Sequence, residues 1–180
     1  MNYQKLSKEI SYALRHAPWE YELELDNEGW VPIKQLFSSL NQSKEWEGIT
    51  EKDIELMISL SDKKRHELNN SKIRALYGHS IPMKIIKNEV VPPKILFHGT
   101  SPDYINSIKE KGLLPISRQY VHLSEDIETA KLVGKRKNSQ PVILIIDAEK
   151  ASSQGVKFYF GNEKVWLSDS IPANYLSIMY

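Results

Sequence analysis

Apolar residues line up at helical spacing at the start of the chain. Leu6, Ile10 and Leu14 recur every four positions with Tyr3 and Ala13 beside them, which predicts an amphipathic helix over 2–16. Asn2 can cap it and Pro18 can end it. Arg15 and His16 then stand at the helix C-terminus, where the helix dipole favours cations. Asp26-Asn27-Glu28-Gly29 predicts a turn, and Trp30 to Ile33 a short extended piece. Lys34 to Leu40 predicts a second helix with Leu36, Phe37 and Leu40 on one face. Thr50-Glu51-Lys52-Asp53 has capping-box form, with Ile54, Met57 and Ile58 continuing a third helix. Arg65 to Leu68 and Lys72 to Tyr77 flank Asn69-Asn70-Ser71, which predicts a hairpin. Three short helices followed by a hairpin predict a winged-helix lobe over 1–80.

From Ile81 to Lys94 the helical periodicity is lost and Pro82, Pro92 and Pro93 appear, which predicts a connector over 81–94. Beyond it the pattern changes to short apolar runs. Ile95-Leu96-Phe97 predicts a strand leading into His98-Gly99-Thr100. Asp103 to Lys111 predicts a helix with Ile105 and Ile108 inward, stopped by Gly112. Tyr120 to Leu123 predicts a strand ending at Ser124, Asp126 to Val133 a helix, and Pro141 to Asp147 a buried strand. Further strands are expected at Phe158 to Phe160, Val165 to Leu167 and Tyr175 to Met179. The fold class is therefore α+β, with the second lobe, 95–180, mostly β.

The 180 residues suffice for one large domain or two small lobes. Lys+Arg number 24 against 23 Asp+Glu, so a strongly basic nucleic-acid coat is excluded while a local basic pocket is not. With no cysteine, disulfides, thiolate nucleophiles and Cys-bound zinc drop out. No apolar run approaches the length of a membrane span, and Met1 to Arg15 lacks signal-peptide form, so a cytoplasmic protein is expected. There is no phosphate-binding G-x-x-x-x-G-K-[ST] loop, no G-x-G-x-x-G and no H-E-x-x-H. The histidines at 16, 66, 79, 98 and 122 do not fall at metal-ligand spacings, so no metal is expected.

Four features could carry chemistry. They are the adjacent Arg15 and His16, then Arg74 inside Ile73-Arg74-Ala75-Leu76 with Gly78-His79-Ser80 following, then His98-Gly99-Thr100 after a strand, and Arg118 ahead of His122-Leu123-Ser124. Singly, each has a plain structural reading: a core histidine, a snorkelling arginine, a loop glycine. Strand ends facing a crevice are common ligand sites, which favours the two histidine-led tripeptides.

Together these segments resemble the RNA 2′-phosphotransferase family, known as KptA in bacteria. Leu6-Ser7-Lys8, Ser11-Tyr12-Ala13-Leu14-Arg15-His16 and Pro18 are similar to the family's opening L-S-x-x-L-S-x-x-L-R-H-x-P. Leu25-Asp26, Gly29-Trp30-Val31, Ser61 to Arg65, Ile73-Arg74-Ala75 and Gly78-His79-Ser80 follow in order. So do Phe97 to Thr100, Gly112-Leu113, Val121 to Ser124, Ala130-x-x-Val133-Gly134 and Val165-Trp166-Leu167. Tyr77 stands where the family usually has Gln, and His66 where an aromatic is common.

The resemblance implies a winged-helix lobe joined to an ADP-ribosyltransferase-like lobe, with RNA carrying an internal 2′-phosphate between them and NAD in the second. It assigns catalysis to Arg15, His16, Arg74 and Arg118, and the NAD site to His98, Gly99, Thr100, His122, Leu123 and Ser124. His79 and Ser80 are weaker candidates for RNA phosphate contact. The arginine fork suits a phosphate monoester because it makes two parallel hydrogen bonds and stays charged. In this reading Gly99 lets backbone approach the dinucleotide, Thr100 and Ser124 offer hydroxyls, and His98 a ring donor. His16 is the expected proton source. A monomer is expected. Two other readings stay open: an ADP-ribosyltransferase acting on a nucleic-acid terminal phosphate, and a winged-helix nucleic-acid binder without catalysis.

Overall fold

In the computed structural model the described residues are 1–179, and Tyr180, the expected end of the second lobe, lies outside them. The chain divides into two units, Met1–Ile86 and Lys87–Tyr180. The division falls within the segment expected as a connector. Ile81 and Ile85 are nevertheless buried, and the Ile86 N–H donates to the Asn27 carbonyl at 2.8 Å. The first part of that segment thus packs as part of the first unit.

In the first unit, α1 (Tyr3–Arg15) is capped by the Asn2 side chain, which accepts from the Lys5 N–H at 3.0 Å. Pro18 opens a 3-10 turn, Pro18–Tyr21, where its missing N–H is no loss. β1 (Val31–Pro32) leads into α2 (Ile33–Leu40), and α3 (Glu51–Ser59) starts with both bonds of the Thr50–Asp53 capping box formed. β2 (His66–Asn69) and β3 (Lys72–Ala75) close a three-stranded antiparallel sheet of order β1-β3-β2. The hairpin loop is Asn70 and Ser71 alone, with φ of 47° and 58°, because Asn69 pairs with Lys72. Both loop residues take the left-handed conformation that matches strand twist. Leu6, Ile10, Leu14, Leu36, Leu40, Ile54, Met57 and Ile73 form the core. Trp46 and Ile49, between α2 and α3, join it from a stretch without periodicity.

The second unit is built on a six-stranded antiparallel sheet of order β7-β8-β5-β4-β6-β9. β4 (Ile95–Thr100) runs through His98-Gly99-Thr100 rather than stopping before them. The helix after it is shorter than expected: a 3-10 turn, Pro102–Tyr104, precedes α4 (Ile105–Lys111). β5 (Val121–Ser124), α5 (Ile127–Gly134) and β6 (Val142–Asp147) follow. α6 (Ala148–Ser153), capped by Asp147, has no counterpart among the elements the sequence predicts. Its Ala148 and Ala151 are buried, but two alanines make too short a pattern to reveal a helix. β7 (Phe158–Asn162), β8 (Val165–Ser168) and β9 (Leu176–Ile178) complete the sheet. The molecule is thus α+β, with two antiparallel sheets. None of its described helices is long and apolar enough to cross a membrane.

β4 sits at the centre of this sheet and is held unequally on its two sides. It pairs with β6 from Ile95↔Asp147 to Thr100↔Val142, but with β5 at Phe97↔Ser124 alone. Past that bridge β4 and β5 separate, opening a split in the sheet between His98–Thr100 and Val121–Leu123.

Candidate functional site

The candidate residues fall into one group in each unit. In the first, α1 ends at Arg15 and His16, and the chain returns beside them after the hairpin. Gly78, with φ +88°, makes the turn that brings it back. The Ser80 N–H donates to the Arg15 carbonyl at 2.9 Å, and Ser80 Oγ lies 2.7 Å from His16 Nδ1. Arg15 lies over the Tyr77 ring at 5.1 Å and its Nη2 reaches the Arg65 carbonyl at 3.5 Å. Arg15, His16 and Ser80 are thus brought together. His79 turns inward instead: it is 3% exposed, and a side chain at Gly29 would lie 3.4 Å from its Nε2. This geometry supports a packing role for His79 and leaves Ser80 as the surface group of the pair.

Arg74 has a different setting. It sits on β3 directly opposite Glu67 on β2, and its Nε and Nη2 both donate to Glu67 Oε2, at 2.9 and 2.8 Å. The Trp30 ring lies beneath the guanidinium at 4.3 Å. Neither partner stands out in the sequence. Glu67 supplies a counter-charge to one of the expected clamp arginines. A charged bond plus aromatic stacking fixes the fork's plane.

His66, at the position where the resemblance predicts an aromatic, is buried and lies 3.0 Å from Ser11 Oγ. Burial, then the charges of Arg15 and Arg65, push its imidazole pKa down to about 3. It is therefore a neutral core residue at ordinary pH.

In the second unit the split in the sheet is bridged by a side chain. His98 Nδ1 donates to the His122 carbonyl at 2.8 Å, which fixes the proton on Nδ1. Burial lowers the pKa of His98, against the hydrogen bond to His122, with the charge of Lys137 adding to the lowering. The neutral ring then presents Nε2 as an acceptor, which corrects the expectation of a ring donor to the ligand. Thr100 and Ser124 are buried, 2% and 5% exposed, Thr100 at the open end of the split and Ser124 at the Phe97 bridge that closes it. Arg118, on the exposed loop before β5, donates from Nη1 to His122 Nδ1 at 2.7 Å, with Nε2 3.3 Å away. Leu123 points into the core and supports the site through packing.

The reason for a glycine at 99 also differs from the expected one. A Cβ there would lie 2.0 Å from the Ala130 carbonyl oxygen, and one on Gly134 would lie 3.2 Å from the Gly99 Cα and 2.6 Å from the Pro141 Cβ. Gly99 is required because α5 packs directly on β4. The Phe97–Thr100 and Ala130–Gly134 motifs are two halves of one packing interface. Among the described residues no group of His, Asp and Glu is placed to hold a metal ion.

A profile of the family described as RNA 2′-phosphotransferase, Tpt1/KptA family, matches residues 2–170. A Bacillus thuringiensis protein named "Probable RNA 2′-phosphotransferase" is 62% identical over 176 residues, covering 98% of this chain and 95% of the relative. An Acetivibrio thermocellus protein of the same name is 60% identical over 98% of this chain and 97% of its own. A Pyrococcus horikoshii protein, also so named, is 39% identical over 96% of this chain and 97% of its own.

Proposed function

This chain belongs to the RNA 2′-phosphotransferase family of the Tpt1/KptA kind, and from that premise we propose that it removes an internal 2′-phosphate from RNA by transferring it to NAD. The first unit, with its three helices and β1-β3-β2 sheet, is read as a winged-helix lobe. The second is read as an ADP-ribosyltransferase-like lobe. The observation that carries the NAD reading is the split between β4 and β5, with an acceptor nitrogen on His98 and the hydroxyl of Thr100 along it and Ser124 at the bridge that closes it. A ribose hydroxyl needs an acceptor, and the hydroxyls suit ribose or phosphate oxygens.

In the proposed reaction an oxygen of the RNA 2′-phosphate attacks the anomeric carbon of the nicotinamide ribose. The carbon–nitrogen bond breaks, and nicotinamide leaves with the electron pair. The neighbouring ribose hydroxyl, giving up its proton, then attacks phosphorus, and the bond from phosphorus to the RNA 2′-oxygen breaks. That oxygen takes a proton and becomes a plain hydroxyl, while ADP-ribose 1″,2″-cyclic phosphate departs. The attacking phosphate is itself an anion, so no carboxylate nucleophile is needed. Arg15, Arg74 and Arg118 carry the phosphate charge through both steps, where positioning and neutralisation dominate.

His16 is the proton donor in this scheme. In its protonated form the ring donates from Nδ1 to Ser80 Oγ, 2.7 Å away, and carries on Nε2 the proton for the leaving 2′-oxygen. His16→Ala with unchanged turnover would remove this assignment. The reaction as a whole is tested with an RNA bearing one internal 2′-phosphate, with and without NAD. Loss of the phosphate only with NAD, together with the cyclic ADP-ribose product, supports it. Folded protein that leaves the RNA untouched in both reactions overturns it.

A further inference from the structure

The end of α5 carries a concentration of positive charge with no part in the chemistry above. Lys131, Lys135, Arg136 and Lys137 are all exposed, in a chain whose formal net charge is only +1. A helix C-terminus favours cations, and Lys131 meets Glu128 at 3.5 Å, so one or two of them need no other account. Lys135, Arg136 and Lys137 lie beyond the helix on a tight turn, closed by Lys135 N–H to Lys131 O at 2.9 Å and Lys137 N–H to Gly134 O at 2.9 Å. Three successive like charges on such a turn repel one another. Among the described residues none of the three forms an ion pair. The arrangement is unfavourable by itself and becomes favourable beside an anion.

The turn is also held in a defined place. Gly134 packs on Gly99 of β4, and Asn138 Nδ2 donates to Ser101 Oγ at 3.3 Å just after that strand. The basic run is thereby pinned beside the His98–Thr100 end of β4, and the charge of Lys137 is felt at His98.

Resting on the reading of RNA as substrate, we propose that Lys131, Lys135, Arg136 and Lys137 form a docking surface for the phosphodiester backbone of the RNA around its 2′-phosphate. Length argues for a strand over the pyrophosphate of a dinucleotide. Lys131 stands on the last turn of α5 and Lys135 to Lys137 on the turn beyond it, so the four charges are spread along the chain, and single-stranded RNA presents one phosphate charge per nucleotide along its length. A strand presents two or three phosphates to such a row, whereas a pyrophosphate is one compact group.

The test compares the full-length protein with a Lys131→Gln, Lys135→Gln, Arg136→Gln triple variant, leaving Lys137 in place because of its influence on His98. Affinity is measured against salt for a long single-stranded RNA with an internal 2′-phosphate, for a 2′-phosphorylated dinucleotide, and for NAD. Expected is a salt dependence for the long RNA that is shallower by about 2 in the log–log slope, at ~0.7 for each phosphate no longer neutralised. The dinucleotide and NAD should bind the variant as they bind the parent, and the thermal midpoint should hold. An unchanged slope overturns the proposal, and so does an equal weakening for NAD, which would assign the run to the dinucleotide. Parent protein that binds long RNA through this surface without removing the phosphate would keep the surface and discard the reaction. Phosphate removal with an unchanged slope would do the opposite.

Discussion

The two candidate groups are held by different kinds of interaction. In the first unit side chains hold side chains: Glu67 and Trp30 fix Arg74, Tyr77 lies under Arg15, and Ser80 faces His16. In the second unit the backbone does most of the holding. The β4–β5 split, the His122 carbonyl and the close approach of Gly99 and Gly134 set where His98 and Thr100 stand. A site held by side chains can be adjusted one residue at a time while the fold stays intact. A site held by backbone yields only when the fold yields. The difference suits the two tasks proposed, since a phosphate clamp must be tuned in charge whereas a dinucleotide site must be shaped.

The sharpest way to break this comparison is at Arg74. Arg74→Ala should lower kcat by about a hundred- to a thousandfold, the loss typical of a charge-stabilising donor, with little change in the thermal midpoint. Arg74→Lys should recover little of it, because a point charge cannot reproduce the fork held by Glu67. Steady-state kinetics on a 2′-phosphorylated RNA reads both. The counterpart in the second unit is Gly99→Ala. Its Cβ meets the Ala130 carbonyl at 2.0 Å, so α5 must move. Destabilisation of about 3 kcal/mol is expected, at the upper end for overpacking, and denaturant titration measures it. If Gly99→Ala kept full stability and lost only NAD affinity, the glycine would serve the ligand after all.

A smaller effect is expected at Glu67. Glu67→Gln keeps the shape and removes the charge that orients Arg74, so kcat should fall by about tenfold, consistent with ~1.5 kcal/mol for a charged hydrogen bond. KM for NAD should be unaffected. Equal turnover in parent and variant would make the pair purely structural.

The mildest prediction concerns pH and His66. Its folded pKa, about 3, lies below the ordinary value of 6.5, so the unfolded chain binds the proton more readily. Its contribution to stability is complete above the unfolded value and is lost as pH falls toward 3, at about 1.4 kcal/mol per pH unit. The lowered pKa of His98 acts in the same direction. His66→Phe should remove part of the slope between pH 6 and 5 in urea titrations. An unchanged slope would show that His66 is not held neutral by the fold.

Much of the first unit is legible in the sequence because its elements are amphipathic and capped. Leu6, Ile10 and Leu14 mark α1, and Thr50 with Asp53 marks the start of α3. The hairpin is legible as a hairpin, but its turn residues suggest a loop one residue longer than the one that forms. That single residue decides whether Arg74 faces Glu67 or another partner, since a shift of register moves every cross-strand pair. In the second unit the strands are legible as apolar runs, while the short α6 is not. The basic run at 131–137 stands in the sequence but is masked by a net charge near zero, a sum that hides local concentration.

The sequence by itself determined the α+β class, most of the elements, and, through motifs in order along the chain, the family. It also determined the identity of the chemical groups, because arginine, histidine and hydroxyl side chains carry their properties wherever they stand. Only the tertiary structure decided which groups meet. It opened β4 from β5, placed the His98 proton on Nδ1 through a carbonyl on another strand, and gave Arg74 its counter-ion. It also brought α5 onto Gly99 so closely that packing alone requires a glycine there. The physical reason is common to all four. Hydrogen bonds, ion pairs and steric contacts act over a few ångströms between residues far apart in the chain, and local pattern carries no record of which distant residues will come that close.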